Sequence, residues 1–256
     1  MQELDSVKIN FNDSELWVLN IALAVVMFGV ALGISVSDFK RLLQQPKLVL
    51  AGLLSQFVLL PLLTFGLVLL IKPQPSIALG MMMVAACPGG NISNFMTHLA
   101  KGNTALSVSL TAFSTFLAML MTPFNFQFYG NLYEPTSQIL KHVELDPLQL
   151  VKLVILILGI PLFFGMLWRS KNKKMAEKLS KILKPFSILV FLAIVVIAFS
   201  NNIDVFDKYI DHVLLIGIGH NILALLLGLL VAKLFMLSFR NQKTLAIETG
   251  IQNSDF

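Results

Sequence analysis

A carboxylate stands among uncharged polar residues near the end of the chain. Glu248 is followed by Thr249 and Gly250, and the amides Gln252 and Asn253 come next. The carboxylate supplies a negative oxygen ligand and the amides add neutral oxygens, while the glycine lets a helix unwind and expose its main-chain carbonyls. Hard cations prefer oxygen ligands of this kind. The segment therefore predicts a cation site, the alternative being a solvated loop with its carboxylate in water.

A second polar segment interrupts a long apolar run. The run near 76–100 contains the sequence Pro88-Gly89-Gly90-Asn91-Ile92-Ser93-Asn94. Pro88 removes a helical donor and two glycines follow it, so we expect the helix to open there and Asn91 to cap a second half-helix. The alternative is a proline kink packed against a neighbouring helix. Because polar groups in an apolar run are costly, their clustering here favours a site.

Other polar side chains lie inside apolar runs. A stripe of hydroxyls at spacings of three and four shares one helix face, and it consists of Thr104, Ser107, Thr111 and Ser114 or Thr115. Gln56, His220 and Asn221 lie in two further runs. Small hydroxyls and single amides also serve ordinary packing between membrane helices. Each is ambiguous alone, and the nearby broken segment favours a site for the stripe.

Apolar helices must position these residues. The 256 residues are 56% hydrophobic and only 13% charged, about half the charge of a soluble domain. Runs of the length needed to cross a bilayer recur near 16–36, 47–71, 76–100 (broken), 103–123, 148–168, 185–201 and 211–236, with a partial run from 244. The connection 124–147 is predicted to be a loop. The pattern predicts an all-α polytopic membrane protein with one transmembrane domain over 1–256.

Basic residues occupy alternate connections between these runs. The stretch 169–184 alone contains seven of them, whereas the acidic residues are concentrated in the N-terminal segment 3–15 and in the connections near 134–146 and 204–211. By the positive-inside rule the N-terminus lies outside. The basic stretch is either a plain topology determinant or an amphipathic segment on an anionic inner leaflet. This placement accounts for the net charge of +5 without a nucleic-acid partner.

The two polar segments correspond to each other. Each is interrupted by glycine and ends in an asparagine, and each follows a long run with a central amide, Gln56 in one case and Asn221 in the other. Corresponding interrupted segments in two halves of a membrane protein are typical of inverted-repeat carriers, which bind their cargo at the crossing. We therefore expect two broken crossover helices.

Together these motifs resemble the bile acid:sodium symporter family. They are Cys87-Pro88-Gly89-Gly90-Asn91-Ile92-Ser93-Asn94, His98-Leu99-Ala100-Lys101-Gly102-Asn103, Ala105-Leu106-Ser107-Val108-Ser109 and Glu248-Thr249-Gly250-Ile251-Gln252-Asn253-Ser254. Phe28–Gly33, Ser37-Asp38-Phe39 and His220-Asn221 fit as well. The resemblance covers nearly the whole chain. It implies a core domain crossed by two broken helices, a panel domain, and two sodium sites at the crossing.

The resemblance also implies which residues act. One sodium site would use Ser93, Asn94, Ser107, Thr111 and Glu248. The other would use the side chains of Gln56, Glu248 and Gln252, with main-chain carbonyls near Thr249 and Ile251. A small or bile-acid-like organic anion would bind at Gly90 and Asn91, with Asn253 contributing from the other half.

The expected function is sodium-coupled symport of an organic anion by alternating access, in the inner (plasma) membrane of a bacterium. Sodium is the coupling ion, no other cofactor is expected, and the oligomeric state is not predicted. Alternatives are a proton-coupled or efflux-type anion permease on the same scaffold, and a receptor or channel. An enzyme is not expected, since the sequence has no HExxH motif and no nucleophile elbow. Against the family pattern the chain stops just after the second broken motif, so we expect an incomplete second repeat, and a non-transporting truncated protein is a further alternative.

Overall fold

The chain folds into helices. The computed structural model describes residues 43–142, 155–201 and 203–252, with Lys152 and scattered positions between 21 and 40. All regular elements in these ranges are helical, which confirms the predicted all-α polytopic membrane protein. Three described helices are long and apolar enough to cross a bilayer, and they are Pro46–Ile71, Thr104–Leu132 and Val213–Leu234. Most of the predicted span 16–36 lies outside the described residues.

The first long helix contains a π-helical turn that its sequence explains. Helix α1 (Pro46–Leu54) continues through the turn Ser55–Leu59 into α2 (Leu60–Ile71). Pro61 has no N–H to donate one turn back, so the carbonyl of Phe57 lacks its usual partner. The side chain of Asn125 donates to that carbonyl at 2.9 Å. A polar side chain from another helix thus stabilises the widened turn.

The next helix is broken as predicted. Helix α3 (Pro75–Ala86) ends before an extended segment, and α4 (Asn91–Leu99) begins after it. The predicted cap at Asn91 is wrong by one residue, because α4 begins at Asn91 and Gly90 takes the extended cap conformation (φ −122°, ψ −170°). The carbonyl of Gly90 accepts from the Ser93 hydroxyl at 2.6 Å and from the Ser93 amide at 3.1 Å.

The loop predicted over 124–147 is wrong for its described part. Helix α5 (Thr104–Leu132) runs through Pro123, and α6 (Glu134–His142) follows it. Two polar side chains near the start of this region, Thr122 and Asn125, have partners outside α5. Thr122 donates to the carbonyl of Ala86 at 2.8 Å, at the break between α3 and α4, and Asn125 bonds the π-helical turn. Tertiary partners for these polar side chains allow the helix to continue.

The remaining helices extend into the basic stretch. A π-helical turn (Ile155–Gly159) leads into α7 (Ile160–Lys171), and α8 (Lys173–Asn201) and α9 (Ile203–Leu234) follow. The stretch 169–184, predicted to connect two spans, is therefore helical apart from a break at Asn172. The Asn172 side chain accepts from the amide of Met175 at 3.1 Å and caps α8. Helix α10 (Phe239–Gly250) completes the order.

The chain divides into two compact units. One consists of Met1–Asp5, Ser37–Val151 and Ile216–Phe256, and the other of Ser6–Val36 and Lys152–Leu215. The first unit contains the break between α3 and α4 and also the end of α10. Its core brings α1, α5, α9 and α10 together through Leu48, Leu110, Val231 and Leu245, all buried. In a bilayer such packing depends on close fit, because lipid tails are as apolar as leucine.

Candidate cation site at the crossing of two broken segments

The two glycine-containing segments meet. Gly89, between α3 and α4, and Gln252, just beyond α10, form an isolated antiparallel bridge. A Cβ atom on Gly89 would lie 2.6 Å from Oε2 of Glu248 and 2.7 Å from its carbonyl oxygen. Since real Cβ atoms do not approach neighbours so closely, only glycine lets the first segment pass the acid.

Glu248 is fully buried and surrounded by hydroxyl groups from other helices. Its Oε1 accepts from the hydroxyl of Ser93 at 2.7 Å and from the hydroxyl of Ser107. Its Oε2 accepts from the hydroxyl of Thr111 at 3.0 Å. Because Ser93 lies on α4 and the other two on α5, the carboxylate joins three helices.

The cluster has more acceptors than protons. Asn94 Oδ1 also accepts from Ser107 at 2.7 Å and from Thr111 at 3.2 Å. A hydroxyl has one proton to donate, so neither Ser107 nor Thr111 can satisfy Asn94 and Glu248 at once. The five residues predicted for the first sodium site therefore do lie together, and they form a compact group of oxygen atoms short of donors.

The negative charge in this cluster has no cationic partner in the described part of the chain. The described residues form one ion pair, between Arg169 and Glu177 at 3.9 Å, and neither of these residues belongs to the cluster around Glu248. A buried carboxylate normally needs a counter-charge, and more so in a membrane protein. The donor set fits a hard cation: one carboxylate, one amide oxygen and three hydroxyls. Occupancy by sodium stays a prediction.

The second predicted set also gathers around Glu248. The amide nitrogen of Gln56 donates to the carbonyl of Glu248 at 3.2 Å, and that of Gln252 donates to the carbonyl of Thr249. The amide oxygens of Gln56 and Gln252 are buried and have no hydrogen-bond partner. Ile251 follows the end of α10, and its amide bonds the carbonyl of Ile247 at 2.8 Å. Two buried amide oxygens without partners, on residues that bond the main chain of Glu248 and Thr249, fit the predicted second cation site, and its occupancy stays a prediction.

The predicted anion-binding residues lie at a helix start. Gly90 and Asn91 are the cap and first residue of α4. The amides of Ser93 and Asn94 bond the Gly90 carbonyl at 3.1 and 3.4 Å, which leaves the first two amides of α4 without helical partners. Asn253 lies outside the described residues.

Sequence reasoning missed several residues that support the crossing. The hydroxyl of Ser55 bonds that of Thr249 at 2.6 Å, and buried Thr64 bonds His220 at 2.7 Å. Thr122 and Asn125 satisfy carbonyls freed by prolines and breaks. The available signal was their position: each is a polar residue inside or next to an apolar helix. Only the fold shows which carbonyl each one meets.

Polar contacts also join the connection that follows α4 to the beginning of α10, at the end away from the crossing. The amide of Asn103 donates to the hydroxyl of Thr244 at 2.8 Å, and its side chain donates to Asn241 at 2.9 Å. Lys243 donates to the carbonyl of Ala100 at 3.0 Å and Arg240 to that of Gly102 at 3.3 Å. The two segments are thus connected at both ends.

Comparison with known proteins identifies a family and several relatives. Residues 20–208 match the family model described as the sodium bile acid symporter family. YocS of Bacillus subtilis, named an uncharacterized sodium-dependent transporter, is 35% identical over 236 residues, which are 92% of this chain and 71% of that protein. The human ileal sodium/bile acid cotransporter is 31% identical over 93% of this chain and 66% of its own length.

A plant protein shows the same relation. The probable sodium/metabolite cotransporter BASS1 of Arabidopsis thaliana chloroplasts is 28% identical over 91% of this chain and 56% of its own length. The chain thus spans from 56% to 71% of the length of these three relatives. The family consists of sodium-dependent transporters and not of enzymes. Because the family model matches well over half of its residues, the chain belongs to the sodium bile acid symporter family.

Proposed function

We propose that this protein is a sodium-coupled symporter of an organic anion that works by alternating access. The observation that carries the proposal is the buried carboxylate of Glu248, which is surrounded by oxygen atoms from α4 and α5 and has no cationic partner among the described residues. Family membership and the names of the relatives, which refer to sodium and to bile acids, support it.

Sodium would act as the missing counter-charge. An ion held by Glu248, Asn94 and the three hydroxyls would neutralise the acid and join α4, α5 and α10. A second ion would use the amide oxygens of Gln56 and Gln252 at the same crossing. Sodium would then favour the conformer in which both segments are together, and a substrate that prefers the same conformer would be coupled to it.

The anion would bind where α4 begins. A helix N-terminus offers free amides and a positive dipole end, which suit a carboxylate or sulfonate. The free amides of Asn91 and Ile92 are in this position, and Asn253 is proposed to contribute from the second segment. Substrates of this kind are bile-acid-like molecules or small organic acids.

Further parts of the proposal concern membrane placement. The one-sided distribution of basic residues supports an N-terminus outside the inner membrane of a bacterium. The antiparallel bridge between Gly89 and Gln252 is the contact expected where the broken helices of two inverted repeats cross. The negative interior would add about 2.3 kcal/mol per charge per 100 mV to the driving force.

A proton-coupled or efflux-type permease is the second candidate, favoured by the same buried acid. A buried carboxyl can bind a proton instead of a cation. Against this, a proton needs one acceptor, whereas the crossing has three further amide oxygens. That of Asn94 shares its hydroxyl donors with Glu248, and those of Gln56 and Gln252 have no hydrogen-bond partner. That surplus of oxygen atoms favours a metal ion.

Direct sodium binding tests the proposal without knowledge of the substrate. The protein expressed from its gene is purified, and equilibrium binding of tracer ²²Na⁺ is measured for the unaltered protein and for Glu248→Gln, which keeps the shape and removes the charge. We expect saturable binding that the substitution abolishes. The matched control is Glu134→Gln, because Glu134 is an exposed carboxylate on α6, and it should bind as the unaltered protein does.

One outcome would contradict the ion site and a second would contradict sodium coupling. Unchanged binding in Glu248→Gln would remove Glu248 from the ion site. An absence of ²²Na⁺ binding by the unaltered protein, together with uptake of taurocholate into proteoliposomes driven by an acidic exterior in sodium-free buffer, would favour the proton-coupled alternative.

A further inference from the structure

The second compact unit has an exposed apolar groove at its basic end. The groove has a volume of about 490 Å³ and is lined by Phe28, Phe164, Leu167, Trp168, Lys171, Asn172 and Met175. Its walls are the end of α7 and the beginning of α8, and Phe28, one of the described positions before α1, also lines it. Cavities of this size accommodate small ligands or part of a lipid.

Close packing beneath the groove explains its shape. A Cβ atom on Gly165 would lie 3.1 Å from the carbonyl of Phe28, so the two backbones touch there. One helical turn later, Arg169 donates to the carbonyl of Leu32 at 2.8 Å. The bulky side chains of Phe164 and Trp168 remain half exposed beside this contact. The groove is therefore held by backbone packing on one side and open on the other.

The rim of the groove carries uncompensated positive charge. Glu177 is the one acid in the stretch 169–184, and it pairs with Arg169 at 3.9 Å. Lys171 lines the groove, and Lys174 and Lys178 lie within one turn of Met175 on α8. These three lysines are exposed and have no ion pair in the described part of the chain.

Helix α8 continues the same pattern away from the groove. Met175, Ile182, Phe186 and Leu189 recur at spacings of seven, four and three and are all exposed, so they form one apolar stripe. Lys174, Lys178 and Lys181 follow one edge of this stripe. An apolar stripe edged by lysines is typical of a helix at the level of lipid headgroups, where long basic side chains reach the phosphates.

We propose that this groove is a binding site for one anionic phospholipid of the bilayer. An acyl chain lies against Phe164, Leu167 and Trp168, and the phosphate pairs with Lys171 and with Lys174 or Lys178. Apolar walls alone would accept any lipid, so the lysines make the site selective for an acidic headgroup. The bound lipid fixes the junction of α7 and α8 at the depth of the phosphates. The proposal does not depend on sodium coupling.

Trp168 allows a direct test because the chain has two tryptophans, Trp17 and Trp168. In a Trp17→Phe variant, Trp168 is the single fluorophore. The variant is reconstituted in phosphatidylcholine vesicles that contain increasing fractions of brominated phosphatidylglycerol or brominated phosphatidylcholine. Bromine atoms quench a tryptophan that they contact. We expect brominated phosphatidylglycerol to quench at a mole fraction about fivefold lower than brominated phosphatidylcholine, since one lysine near an anionic headgroup contributes on this order.

Matched lysine variants then distinguish a site from diffuse charge. Lys171→Gln should remove most of the selectivity for phosphatidylglycerol. Lys181→Gln removes the same charge from α8, six residues beyond Met175 and roughly 9 Å along the helix axis, and should leave the selectivity intact. Equal quenching by the two lipids in the Trp17→Phe protein would overturn the proposal without any lysine variant. Equal loss of selectivity in both lysine variants would overturn it as well.

Discussion

The two ends of the α4 and α10 pair differ in whether their buried polar groups have cationic partners. At the end away from the crossing, the chain supplies its own cations, since Lys243 and Arg240 donate to the carbonyls of Ala100 and Gly102. At the crossing, the carboxylate of Glu248 accepts hydrogen bonds from hydroxyl groups only, among the residues that the structure describes. One end is complete by itself, whereas the other lacks a positive charge. The difference identifies the crossing as the place where a bound cation would complete the structure.

The largest effect is expected from Gly89→Ala, which places a methyl group against Glu248. The clash at 2.6 Å with its Oε2 should separate the two segments and abolish ²²Na⁺ binding. The matched control is Gly66→Ala on α2, where an added Cβ has no atom within 4 Å. Equilibrium binding on both purified variants measures the contrast. Sodium binding that survives in Gly89→Ala would mean that the close approach of the segments is unnecessary.

A smaller but clear loss is expected from Ser107→Ala. This substitution removes one hydroxyl that contacts both Glu248 and Asn94, while the carboxylate stays in place. Losing one neutral ligand should lower sodium affinity about tenfold, which corresponds to about 1.4 kcal/mol. Ser109→Ala on the same helix is the control, because its buried hydroxyl has no partner in the site. Equal affinities for the two variants would argue that the hydroxyl stripe only packs.

Gln56→Leu should weaken binding of a second ion more than binding of the first. The substitution removes a buried amide oxygen without a partner and also the bond to the Glu248 carbonyl at 3.2 Å. We expect the ²²Na⁺ binding isotherm to lose one component or its sigmoidal shape. Asn125→Leu is the comparison, because it removes an amide on α5 that bonds the same π-helical turn and is not predicted to bind sodium. A uniform fall in affinity, with the isotherm otherwise unchanged, would contradict two separate sites.

The smallest effect on sodium affinity is expected at the end of α10 away from the crossing, where the lysine and arginine contacts lie. Thr244→Val removes the acceptor of the Asn103 amide at 2.8 Å and should lower the free energy of unfolding by about 1–3 kcal/mol. Sodium affinity in the folded fraction should stay within about twofold. Thermal unfolding in detergent and ²²Na⁺ binding on the same preparation separate the two effects. A tenfold loss of affinity with unchanged stability would show that this end belongs to the ion site.

Several predictions from sequence agree with the fold for clear physical reasons. Pro88 with two following glycines cannot continue a helix, and α3 does end before them. Glu248 was expected to be a site because a carboxylate in an apolar protein is costly, and it is fully buried. The loop predicted over 124–147 was wrong for the converse reason, since Asn125 looked unfavourable in a helix until its partner, the carbonyl of Phe57 in the π-helical turn, was known. A local sequence pattern can identify a polar residue whose burial is unfavourable, but it cannot show which hydrogen-bond partner offsets that cost.

The sequence by itself determined the all-α membrane class, the break after α3, and the residues with oxygen atoms available for a cation. These follow from composition, from helix geometry, and from the cost of polar groups in an apolar run. Only the tertiary structure decided that Ser93, Ser107 and Thr111, on two different helices, converge on one carboxylate. It also decided that the chain supplies no cation there among its described residues. Both are long-range facts: they depend on how helices far apart in the chain pack together, and neither spacing nor composition contains that information.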